Sequence, residues 1–190
     1  MLILIVGICL FVGVRVFGTF REQRAALIER FGEDKYKLGY TIVSLAGLAL
    51  ISWGLSVYRA DGLIQLWEPP RGMRHLAMPL VWFAFIALAA RRAPPGRIRG
   101  WLRHPMLVAV KAWALAHLLV NGDLGGMILF GSLLAFAVYD RIAVKRRGDE
   151  GAPRLDHFTK GDAIAVGAGT LVFAILLLLH PYLFGVSVLA

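Results

Sequence analysis

GDAIAVGAGTLVFAILLLLHPY, residues Gly161–Tyr182, carries no charge after Asp162. About 20 apolar residues in helical form cross the ~30 Å hydrocarbon core of a bilayer, and lipid offers open backbone no hydrogen-bond partner. The stretch therefore reads as a transmembrane helix. Working outward from it, five more apolar blocks follow the same rule: Leu2–Phe20, Leu38–Tyr58, His75–Ala90, Pro105–Val120 and Leu124–Ile142. The third and fourth are short. No long hydrophilic segment or internal repeat separates the blocks. The expectation is an all-α, polytopic membrane bundle of about six transmembrane helices, one domain over residues 1–190.

Composition agrees. Hydrophobic residues make up 58% of the chain, against about 45–50% apolar in soluble domains, and mean hydropathy is +0.69. The net charge is +9. The basic residues lie between apolar blocks, where they orient a protein against lipid headgroups, so we expect no nucleic-acid binding. The lone cysteine, Cys9, rules out an internal disulfide or a Cys-based metal cage and reads as a buried, inert thiol. Met1–Val14 has no basic residue ahead of its apolar run and no small-residue cleavage site, so it reads as a retained helix.

Orientation follows from Lys and Arg. Loop 21–37 holds five, loop 91–104 five and stretch 141–160 six. The alternate side has only Arg59, Arg71 and Arg74, and the Asn121-Gly122-Asp123 turn has none. The positive-inside rule puts the sixteen in the cytoplasm and both termini on the non-cytoplasmic side of the cell's inner membrane. Within loop 21–37, Phe20, Leu27, Ile28 and Phe31 share a helical face, with Arg24, Glu29 and Arg30 on others, and Gly32 ends the run. This is an interfacial helix on the cytoplasmic surface. Asp123 is placed to cap the fifth helix. Lys111, mid-helix, either snorkels or ion-pairs, or else it serves a pocket.

Five histidines sort by side. His104 and His157 fall at cytoplasmic ends. His75 opens the third segment, while His117 and His180 stand near the ends of the fourth and sixth, so these three lie toward the outer face. His104 and His117 are ~20 Å apart along one helix and cannot share a metal. Three neutral imidazoles at similar depth are either interfacial residues or ligands for haem iron or a transition metal. His117 lies furthest inside the apolar band.

Arg103-His104-Pro105-Met106-Leu107-Val108, then Leu115 to Asp123 (LAHLLVNGD), Leu129-Phe130-Gly131 and Tyr139-Asp140-Arg141 resemble the NnrU family of bacterial membrane proteins. Tyr40 to Gly47, Leu66-Trp67, Arg74-His75-Leu76 and His180-Pro181 extend the likeness to nearly the whole chain. That family is linked to denitrification and nitric oxide metabolism, and it looks related to 15-cis-zeta-carotene isomerase, a haem b protein. The resemblance implies haem b as cofactor, with His117 as an axial ligand. The isomerase's other implicated histidine, in the first helix, matches Arg15, and arginine is a poor iron ligand. His75 or His180 then substitutes, or the iron is five-coordinate, or haem is absent.

Three functions compete. One is a haem-b redox or isomerase-type protein acting on a hydrophobic small-molecule substrate from the lipid side. Another is a non-enzymatic membrane factor supporting nitrite or nitric oxide metabolism. The last is a membrane methyltransferase, suggested by Arg103-His104-Pro105 but lacking a matching glutamate pair downstream.

Overall fold

The structure is a computed structural model describing residues 1–70 and 72–188. Arg71, counted above on the outer side, lies outside the described residues, as do the last two. Among the described residues the helices are α1 (Leu2–Phe17), α2 (Arg21–Phe31), α3 (Glu33–Ala60), α4 (Met73–Arg92), α5 (Arg97–Leu102), α6 (Pro105–Val120), α7 (Leu124–Arg146) and α8 (Lys160–Phe184). No strand occurs among these residues, only an isolated antiparallel bridge between Gln65 and Asp123.

The chain is an all-helical, multi-pass membrane protein. α3, α4, α7 and α8 are long and apolar enough to cross a bilayer, and α1 with α2 makes a fifth candidate bent by 90°. The expected six is not reached on length. α1 stops at Phe17, three residues early, because the chain turns at Gly18 and Thr19 caps back onto the Val16 carbonyl. α6 has 16 residues, about 24 Å of helix against a core of ~30 Å. It is bounded by Pro105, which suits a first helical position, and by the Asn121-Gly122 turn. α3 instead starts five residues earlier than the apolar block. Glu33 pairs with Lys37 at 3.0 Å, and Glu33 and Asp34 sit where the helix dipole favours acids.

The described residues form two compact units: residues 1–68 with 121–143, and 69–120 with 144–190. In the first, α1 and α3 pack as an antiparallel pair on three glycines. A Cβ at Gly7 would come within 2.6 Å of the Ile51 amide nitrogen, and one at Gly47 within 2.8 Å of Phe11's. One at Gly54 would strike the Leu4 backbone. The seam faces Leu4, Gly7 and Ile8 inward and leaves Cys9 exposed, contrary to the buried thiol expected. The helix expected in loop 21–37 is present as α2, and Gly32, at φ +86°, ends it. Its inner face differs from expectation: Arg24 is half-buried with Leu27 and Ile28, and its guanidinium lies 5.7 Å from the Tyr36 ring centroid. The spacing 24, 27, 28, 31 is one helical stripe, and cation–π contact lets a basic residue occupy it.

At the other end of this unit, loop 63–67 pairs with the turn before α7. Leu66 and Trp67 donate to the Gly122 carbonyl, and Leu124 donates to that of Ile64. The Tyr58 hydroxyl accepts from the Ile64 amide at 3.0 Å. Asp123, 7% exposed, accepts from Gly126 N–H at 2.8 Å, the cap expected of it.

In the second unit α4 packs on both α6 and α8. A Cβ at Gly169 would come within 2.6 Å of Ile86 Cα, and Ala90, Ala93 and Ala165 cluster at the joint. Asp162, 5% exposed, ties that joint. It accepts from the amides of Ile98 (2.7 Å), Thr159 (2.8 Å) and Arg97 (3.0 Å), capping α5 and α8 together.

Gly54→Leu should force α1 off α3 and lower the thermal midpoint in detergent, at a cost on the order of 2 kcal/mol. Gly13→Ala, where a Cβ meets nothing within 4 Å, should be neutral or slightly stabilising. Equal effects would remove the glycine seam from the account.

Candidate functional site

The glycine and alanine contacts fix the register of α4 against α8. Ile86 faces Gly169, and Ala90 clusters with Ala165, so the helices are antiparallel and each residue pair across the seam keeps the same summed position. Extended toward the opposite end, that register sets His75 level with His180. α6 also runs antiparallel to α4, since the Arg91 guanidinium meets the Met106 sulfur at 2.8 Å. Eleven residues on from Met106, about 16 Å of helix, His117 comes level with Leu80. Three histidines thus gather toward one end of this unit. His117 lies about a turn and a half further inside than the other two.

They differ in environment. His75 is exposed, while His117 and His180 are half-buried. His117 Nδ1 lies 2.8 Å from the Trp113 carbonyl oxygen, and its ring packs on the Trp113 ring at 4.6 Å between centroids. His180 repeats the arrangement. Its Nδ1 lies 2.8 Å from the Val186 carbonyl oxygen, and its ring packs on Phe184 at 4.9 Å. Gly185, in the left-handed conformation at φ +69°, turns the chain so that the Val186 carbonyl comes back to the imidazole.

A carbonyl oxygen can only accept, so Nδ1 donates in both rings. The neutral form of each then carries its lone pair on Nε2. That is the tautomer an iron-ligating histidine needs, with the second ring nitrogen held by a carbonyl. The residues therefore fit axial ligation of haem iron. They do not make a cage for a bare ion: among the described residues no group of three or more His, Cys, Asp or Glu could hold one. The sequence reading missed the orienting partners Trp113, Phe184 and Val186. Two carried a visible signal, since Trp113/His117 and His180/Phe184 are both aromatic pairs at i,i+4.

The remaining candidates go elsewhere. Lys111 is half-buried on α6, about 9 Å along the helix from His117. His157 is exposed in the loop before α8. Arg103 and His104 hold the loop after α7. Arg103 Nη1 contacts the Glu150 carboxylate at 3.7 Å, and its carbonyl accepts from Ala152. His104 Nε2 lies 3.2 Å from the Asp149 carbonyl oxygen. The spacing did not suggest that Asp149-Glu150 would meet Arg103-His104. Gly151 packs so closely on the Arg103 carbonyl and on His104 that even a Cβ there would collide. The cluster is filled by its own loop, which makes it a structural knot.

Arg15, on α1, donates to the Phe11 carbonyl at 2.8 Å and lies over the Phe11 ring at 3.4 Å.

No curated protein and no solved structure matches the chain. A family model described as NnrU protein matches residues 3–188. Nearly the whole length is covered, including the α6 stretch from Pro105 to Val120 with the turn that follows it, and all three of the gathered histidines: the chain belongs to the NnrU family.

Proposed function

We propose that this NnrU-family membrane protein binds haem b in its second unit, with His117 as one axial ligand and His180 as the other. The proposal carries a redox or isomerase-type role in nitric oxide metabolism or on a polyene. One observation carries it: both imidazoles have Nδ1 tied to a backbone carbonyl and pack on an aromatic ring, tilted by 46° and 51°. Two separately oriented rings of ligand-competent tautomer, at one end of a membrane helix unit, are more than interfacial histidines require. Haem iron, when bound, supplies one-electron exchange or Lewis acidity.

The chain's own residues supply the rest. The Trp113 and Val186 carbonyls hold the Nδ1 protons, and the tilted Trp113 and Phe184 rings packed on the imidazoles limit their rotation. Arg15 stands where the related isomerase has its first-helix histidine. It stays protonated and is engaged by Phe11, so this reading draws the second ligand from α8. His75, exposed at the same level, is left as an interfacial residue. The orientation we propose keeps both termini, and with them the three histidines, on the non-cytoplasmic side of the inner membrane. It rests on the Lys and Arg asymmetry.

Two measurements follow. Purified His117→Ala should lose its Soret band and pyridine haemochrome while still inserting in the membrane, and His104→Ala should keep both. An unchanged Soret band in His117→Ala would make His117 a packing residue. A reporter active only in the periplasm should be active after Ala190 and silent after Arg147, and the reverse pattern would overturn the orientation.

A further inference from the structure

The bend between α1 and α2 leaves a concavity in the first unit, far in kind from the histidine site because no histidine lines it. It is an open groove with a volume of about 360 Å³. Val14 and Phe17 of α1, Leu27 of α2 and Val43 of α3 form its apolar walls. Lys35 and Tyr36 line the end where α3 begins, and Arg24 lies against Tyr36 at 5.7 Å. None of the described residues lining it is acidic. Nearby, Glu33 is engaged by Lys37 at 3.0 Å, while Glu29 and Asp34 fall on other helical faces than Leu27 and Lys35–Tyr36.

Gly39 lines the concavity, and a Cβ built on it meets nothing within 4 Å, so the backbone there leaves the groove open.

We propose that this concavity is a binding site for an anionic phospholipid. One acyl chain lies between Val14, Leu27 and Val43, over Gly39, and the phosphate sits by Lys35 and Arg24. The chemistry selects the class. The walls are apolar, Lys35 lines one end, and Arg24 stands over the Tyr36 ring beside it. α2, turned 90° from α1, has the attitude of a helix lying at headgroup level. A zwitterionic lipid would fill the walls without satisfying the mouth.

The test uses the full-length protein in dodecyl maltoside, with thermal unfolding followed by helical circular dichroism. Added dioleoyl-phosphatidylglycerol should raise the midpoint on the order of 4 °C above the same amount of dioleoyl-phosphatidylcholine. Free glycerol 3-phosphate should not reproduce the rise. Lys35→Glu, exposed and so tolerated by the fold, should abolish the difference between the two lipids. Gly39→Phe, at a lining position where a Cβ meets nothing within 4 Å, should abolish it too. Equal midpoints in the two lipids, a rise with glycerol 3-phosphate alone, or a phosphatidylglycerol effect surviving both substitutions would each overturn the site.

Discussion

Helices in lipid gain nothing from hiding apolar side chains from one another, since the tails around them are equally apolar. Association depends on how closely backbones can approach. In this protein that approach is made at glycine. Gly7, Gly47 and Gly54 admit the backbone or near side-chain atoms of the facing helix in the α1–α3 pair, and Gly169 does so in the α4–α8 pair. Each glycine also fixes register, because a shift of one residue would put a larger side chain at the contact.

Register is what turns packing into a site. With Gly169 against Ile86, the end of α8 that carries His180 comes level with the start of α4 that carries His75. The Asp162 carboxylate pins the opposite end by capping α5 and α8 at once. From there the histidine environment is local. A carbonyl four residues back on α6 orients His117, and a left-handed glycine past α8 returns a carbonyl to His180.

Much of this was legible in the residues. Apolar blocks marked the helices, Gly32 the end of α2, Asp123 the cap of α7, and the motif residues around His117 the family. What failed were features that apolar length cannot carry. The block ending at Phe20 contains a turn at Gly18, and Pro105 with Asn121-Gly122 trims α6 to 16 residues, so by length and composition four helices qualify as candidate spans, or five with the bent pair. Arg24 read as outward because charge was weighed before spacing, whereas its ring partner Tyr36 lies on the next helix. Cys9 sits in an apolar run yet faces outward, because on a membrane helix the lipid side is as apolar as the seam. The Thr159-x-x-Asp162 capping box that starts α8 is written in the sequence itself. The meeting of Asp149-Glu150 with Arg103-His104 is not, since it depends on where α7 ends.

The central claim is that two oriented imidazoles, His117 and His180, take one haem iron between them. Electron paramagnetic resonance of the purified ferric protein, made with ample haem, addresses it most directly. The account predicts a low-spin signal of a bis-imidazole iron that turns high-spin in His180→Ala while haem is retained. A folded protein without haem, or a low-spin signal indifferent to the loss of His180, would contradict it.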